Sequence, residues 1–158
     1  LELFVQHGPD GDVRCTFLEV GARVGGAEIP FIWRDLHGYD LMEAAFRIQL
    51  EQDTPAGPAL PGPDREVGGW LLIPAPVARP CVIQEAPSMV GQDPGPYSET
   101  LLQPGDVLPA ADAYYEHVGG RFRFRGRSSL EVEAALVATA TDFRVRASSL
   151  RPDPAPAR

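Results

Sequence analysis

Apolar and polar residues alternate with period two over much of the chain and shift to a helical period most clearly after residue 40. Leu1–Gln6 alternates as a strand, Gly8-Pro9-Asp10-Gly11 reads as a turn, and Val13–Val20 resumes the alternation. This stretch predicts a β-hairpin. Beyond Gly25-Gly26, Ala27–Trp33 reads as a third strand with Pro30 at an edge or bulge. From Asp40 the pattern changes. Leu41, Ala45 and Ile48 fall on one stripe with Met42, Phe46 and Gln49 beside it, and Glu43, Arg47 and Glu51 stand four residues apart. Asp40 and Glu43 have the spacing of an N-cap and its N3 partner, so a helix is predicted over 40–52.

Thr54–Gly69 reads as a Pro/Gly loop, and Trp70–Ile73 and Cys81–Gln84 as short strands. Ala86–Pro109 is expected to be irregular, and Ala110–Val118 reads equally as a helical turn or an aromatic strand. Arg121-Phe122-Arg123-Phe124-Arg125 alternates strictly, placing three guanidinia on one sheet face and two rings on the other. A loop at Arg127-Ser128-Ser129 would set Arg125 against Glu131, Phe124 against Val132, Arg123 against Glu133 and Phe122 against Ala134. The alternative is a helix over Ser129–Ala140, begun by the capping-box spacing of Ser128 and Glu131. Matched character across every pair favours the hairpin. Asp142–Ala147 then continues as a strand, with Phe143 and Val145 inward and Arg144 and Arg146 outward.

These elements predict an α+β fold. A curved, mostly antiparallel sheet of about six to eight short strands packs on one principal helix, residues 40–52. Residues 1–150 are expected to form a single domain, followed by a loose Pro/Ala-rich tail over 151–158.

Composition narrows this picture. With 158 residues, 44% apolar and 23% charged, the chain matches one globular domain. No run approaches the ~20 apolar residues of a membrane-spanning helix. All 14 basic residues are Arg, and neither Lys nor Asn occurs, as expected of a GC-rich bacterial genome. Without Lys there is no Schiff-base lysine and no phosphate-loop lysine. The chain begins at Leu1, which suggests a processed or excised piece, and the cytoplasm is favoured over an oxidising compartment. Cys15 and Cys81 both sit in apolar runs, so buried free thiols are expected, with one bridge as the alternative.

Charge is uneven. Residues 1–118 carry 6 Arg against 18 acids and residues 119–158 carry 8 Arg against 4, dividing the net −8 into −12 and +4. An acidic whole argues against nucleic-acid binding. The arginines of the basic quarter, Arg121, Arg123, Arg125, Arg144 and Arg146, form the first candidate site: a platform for an anion or an acidic partner. The competing account is a solvated sheet face, with two of them neutralised by Glu131 and Glu133.

A second candidate is a pocket beside the helix start. There Asp35, His37 and Tyr39 gather with Asp40 and Glu43, and Tyr97 projects from a Pro/Gly stretch. A structural role for Asp40 as cap and Gly38 as turn residue accounts for the same segment. His7 with Asp10 and Asp12, and Glu116 with His117, are weaker metal candidates, and Trp33, Trp70, Tyr114 and Tyr115 read as core or interface aromatics.

No nucleotide-binding, hydrolase-elbow, zinc or calcium motif occurs, and no cofactor or metal is implied. The expectation leans away from an enzyme and toward a non-catalytic interaction domain with a protein partner, homo-oligomerisation being open. The alternative is a small-molecule enzyme or binder, for instance of acyl thioesters, with a pocket between helix and sheet near His37.

Overall fold

The computed structural model describes residues 2–21, 23–54, 56–57, 66–111 and 117–150. The fold is α+β, with three helices and eight strands in three antiparallel sheets among the described residues. The expected tail 151–158 and most of the ambiguous segment 110–118 lie outside them.

The chain opens with the predicted hairpin, β1 (Glu2–His7) against β2 (Val13–Glu19), turning through Gly11 at φ +82°. The predicted third strand is instead a helix, α1 (Ile29–His37), with Pro30 in its first turn and Gly38 at its C-cap. Proline fits the first helical turn because that N–H has no intrahelical partner. Gly38 closes the helix in the left-handed conformation, at φ +64°, donating its N–H to Arg34 O at 2.8 Å. Ile29, Ile32 and Leu36 share a face, a helical recurrence stronger than the two-residue alternation.

The Asp40-capped helix forms as α2 (Leu41–Gln49). Asp40 Oδ1 accepts the N–H groups of Met42 and Glu43 at 2.9 and 3.0 Å. Arg47 returns to Glu43 at 2.8 Å on its outer side.

The body of the molecule is a sheet in the order β3 (Val67–Pro74), β7 (Val118–Gly126), β5 (Ser98–Leu101). Its strands come partly from stretches expected to be loops: β3 begins within 54–69, and β5 and β6 (Val107–Leu108) lie within 86–109. The latter stretch is ordered by its own polar groups. Glu99 accepts the Met89 N–H at 2.9 Å, and Asp106 accepts that of Gln103 at 2.7 Å.

The hairpin expected over 121–134 does not form. The segment after β7 is α3 (Ser129–Asp142), whose N-cap Ser128 accepts the Glu131 N–H at 3.3 Å. Helix wins because Val132, Ala135 and Thr139 recur at helical spacing and enter the core together. Glu131 therefore caps backbone, accepting the Arg127 N–H at 2.7 Å, rather than facing Arg125. The alternation of β7 holds. Phe122 and Phe124 are fully buried against Val132 and Ala135, and Phe143 meets Phe122 edge-on at 4.9 Å.

Two consecutive glycines let helices approach this sheet from both sides. A Cβ at Gly69 would stand 2.6 Å from Val132 Cγ1 of α3, and one at Gly68 would stand 2.5 Å from Ile32 and Leu36 of α1. The result is three layers: α3, sheet, α1.

A second small sheet runs β6, β4 (Cys81–Glu85), β8 (Arg146–Ser149). Its core is Ala75, Cys81, Ile83 and Leu108, and Val145 packs against both this cluster and the phenylalanine core. Phe143 is buried as expected, although Asp142 ends α3 and the strand starts only at Arg146. Cys81 is buried, but Cys15 is exposed on β2, and both thiols are free.

Candidate functional site

Two candidate clusters read separately from the sequence meet in one place. Arg121, Arg123 and Arg125 share the face of β7 that looks toward α1, because their register partners there include Gly68, on which α1 rests. Helix α1 carries Asp35 over Arg123, whose Nη1 reaches Asp35 Oδ2 at 2.6 Å. Its Nη2 donates to Ser98 Oγ at 2.7 Å, and its Nε lies 3.5 Å from Glu28 Oε2. The guanidinium is further held between rings, 5.4 Å from Phe31 and 5.7 Å from Tyr97.

Tyr97 completes the cluster. Its hydroxyl donates to Asp35 Oδ2 at 2.9 Å, while Arg125 lies 5.1 Å above its ring. Burial pushes the Tyr97 phenol up to about 12, helped by the hydrogen bond to Asp35 and by the charge of that carboxylate. Asp35 also meets Arg34 Nε at 3.5 Å. One carboxylate thus joins two arginines and a tyrosine.

Glu28, which the sequence reading missed, is the buried acid of the site. Its side chain is 8% exposed and lies between Arg123 and Arg121, the latter at 3.9 Å. A carboxylate withdrawn this far from water needs a cation beside it. The available signal was Pro30: a helix starting there puts Glu28 at the N-cap, beside the arginine strand.

The rest of the platform does not assemble. Arg144 donates to the Ala140 and Phe143 carbonyls at the end of α3, and Arg146 pairs with Glu85 in the other sheet. Arg125 stands 4.0 Å from Glu66, so the expected pairings with Glu131 and Glu133 are replaced by Glu28, Asp35 and Glu66.

Nor do the four pocket candidates converge. Asp35 and Tyr97 meet, but His37 turns to Trp33, with ring centroids 4.6 Å apart. Tyr39 is half-buried at the junction of α1 and α2. Between α1 and the sheet, Ile32 and Leu36 close onto Gly68. A shallow depression of about 250 Å³ lies elsewhere, lined by Ile73, Phe143, Arg144 and Val145 among others. His7, Asp10 and Asp12 line an open concavity at the hairpin turn. Among the described residues, no three His, Cys, Asp or Glu side chains gather closely enough to hold a metal ion, and no helix is long and apolar enough to cross a membrane.

The cluster's geometry is that of a clamp. Its hydrogen bonds and ion pairs run between α1 and the sheet, and Arg123 is only 19% exposed. The outward-facing surface is different in kind. On β1 and β2, Leu3, Phe4, Val5, Val13, Phe17 and Leu18 are exposed, and on α2 so are Met42, Phe46, Ile48 and Leu50. Composition could not separate these residues from core positions. No protein-family model matches the chain, and no curated protein is similar to it.

Proposed function

We propose that this chain is a non-catalytic protein-interaction domain. The observation carrying the reading is the apolar surface of the N-terminal third. A two-stranded hairpin alone is marginally stable in water, and among the described residues no other helix or strand packs extensively on it. Apolar surface of this extent on a folded protein marks a contact with another macromolecule.

The arginine face has a supporting part in this reading. Arg123 is committed to Glu28, Asp35 and Ser98, whereas Arg121 and Arg125 keep 39% and 51% of their side-chain surface exposed. An acidic group on a partner would meet these two guanidinia at the rim of the α1 layer.

The test is affinity capture from the native cell with the wild-type chain and with Phe17→Glu and Phe46→Glu variants. Both variants should retain the fold, because the rings point outward, and both should recover less of the proteins held by the wild type. Equal recovery by all three would refute the reading. Reversal of charge at Arg121 and Arg125 should slow association most at low ionic strength, since exposed charges are screened beyond ~8 Å at physiological salt.

A further inference from the structure

The hairpin's register sorts its residues into two unlike faces. Leu3 faces Phe17, Val5 faces Cys15 and His7 faces Val13, so these six share one side of the ribbon. The other side carries Phe4 and Thr16 with Gln6 and Arg14. The first side is therefore almost wholly apolar. Among the described residues, neither strand packs extensively on any other element.

A second apolar surface follows a few residues later. Met42, Phe46 and Leu50 recur every fourth residue and form an outward stripe on α2, 50–62% exposed, while only Ala44 of that helix is buried. Ile29 and Trp33 of α1 are also partly exposed. With ~150–250 Å² for a full aromatic side chain and somewhat less for an aliphatic one, Leu3, Val5, Val13 and Phe17 on that side of the hairpin and the Met42–Phe46–Leu50 stripe each leave about 300–400 Å² of apolar surface in water, roughly 700 Å² together. A standard interface covers roughly 800 Å² on each partner. The two patches match each other in size and chemistry.

We propose that two copies of this chain exchange their hairpins, each laying the Leu3–Val5–Phe17 face of its ribbon on the α1–α2 pair of the other. The proposal rests on the interaction-domain reading and names the partner. A second copy covers both patches at once, and the arrangement closes by a two-fold axis with no surface left for further growth. A different protein seated on the hairpin alone would leave the α2 stripe in water. The connection allows the exchange: residues 20–28 reach up to about 30 Å when extended.

Reciprocal exchange has a signature that other dimers lack. The full chain should sediment at twice its 17.1 kDa mass. Phe17→Glu spoils only the hairpin and Phe46→Glu only the helix stripe, so each variant alone should weaken self-association at least tenfold. Mixed, they should form a heterodimer, because one intact hairpin then meets one intact helix pair. Leu3→Glu with Met42→Glu should repeat the result, which guards against one variant failing to fold.

Several results would overturn the exchange. A wild-type monomer would do so, as would a Phe46→Glu chain that still dimerises, which would show hairpin-to-hairpin pairing. Failure of the mixed variants to associate while circular dichroism shows both folded would also refute it. Wild-type monomers that lose other proteins on Phe17→Glu would refute exchange yet leave the interaction reading standing. Monomers whose captured proteins are unchanged would refute both.

Discussion

Strands β2 and β7 carry similar alternations and have opposite surroundings. In β7, Phe122 and Phe124 are wholly buried, because α3 lies across them and Gly69 lets Val132 come close. In β2, Val13 and Phe17 stand 58% and 59% exposed, because among the described residues no helix packs extensively on the hairpin. Alternation selects a face. It does not supply the layer that covers it.

The contrast is tested most strongly by truncating one ring in each strand. Phe122→Ala should cost about 3–5 kcal/mol in denaturant unfolding, since it leaves a cavity under α3. Phe17→Ala, measured at a concentration where the chain is monomeric, should cost roughly 0.5 kcal/mol or less. Equal losses would mean that the hairpin is as well packed as the body.

Filling the glycine pair probes the layers next. Gly69→Ala forces a methyl group against Val132 Cγ1 and should destabilise by about 1–3 kcal/mol. Gly68→Ala presses instead on Ile32 and Leu36, so it should loosen α1 and raise hydrogen exchange in residues 29–37 before those of α3. Exchange that rises first in α3 would reverse the assignment of the two faces.

The two helix caps give a smaller, comparative effect. Ser128→Ala and Asp40→Ala each remove a side-chain acceptor from an N-terminus, at a cost of about 0.5–2 kcal/mol to the helix concerned. Because α3 is built into the core and α2 is mostly exposed, the Ser128 change should lower global stability, whereas the Asp40 change should mainly fray α2. Helix-resolved hydrogen exchange distinguishes the outcomes.

The smallest effect is spectroscopic. Burial and the hydrogen bond to Asp35 push the Tyr97 phenol up to about 12, so the stability it contributes is present below pH 10 and is lost as pH rises toward 12. In Asp35→Asn the carboxylate charge is gone, and phenolate absorbance should show Tyr97 ionising at lower pH. An unchanged titration would mean that burial alone holds the phenol up.

The sequence by itself determined what depends on neighbours a few residues apart. The first hairpin, the Asp40 cap, the strands around Trp70 and Cys81, and the inward rings of Phe122 and Phe124 are all local patterns, set by turn chemistry, capping and side-chain period. Residues 27–37 and 129–142 were legible only in part. Pro30 and Gly38 mark helix ends, and Ser128 and Glu131 mark a helix start, but each segment also fits an alternating strand, and burial against the sheet chose between them.

The candidate site was hidden further. Arg123 and Asp35 were both visible as charged groups, yet 88 residues separate them, and so do the different elements on which they ride. Only the packing of α1 over Gly68 turns the arginine face into an internal clamp and makes Glu28 a buried acid. Tertiary structure alone decided which apolar residues stayed outside, because exposure depends on what lies across a face rather than on the residues that form it.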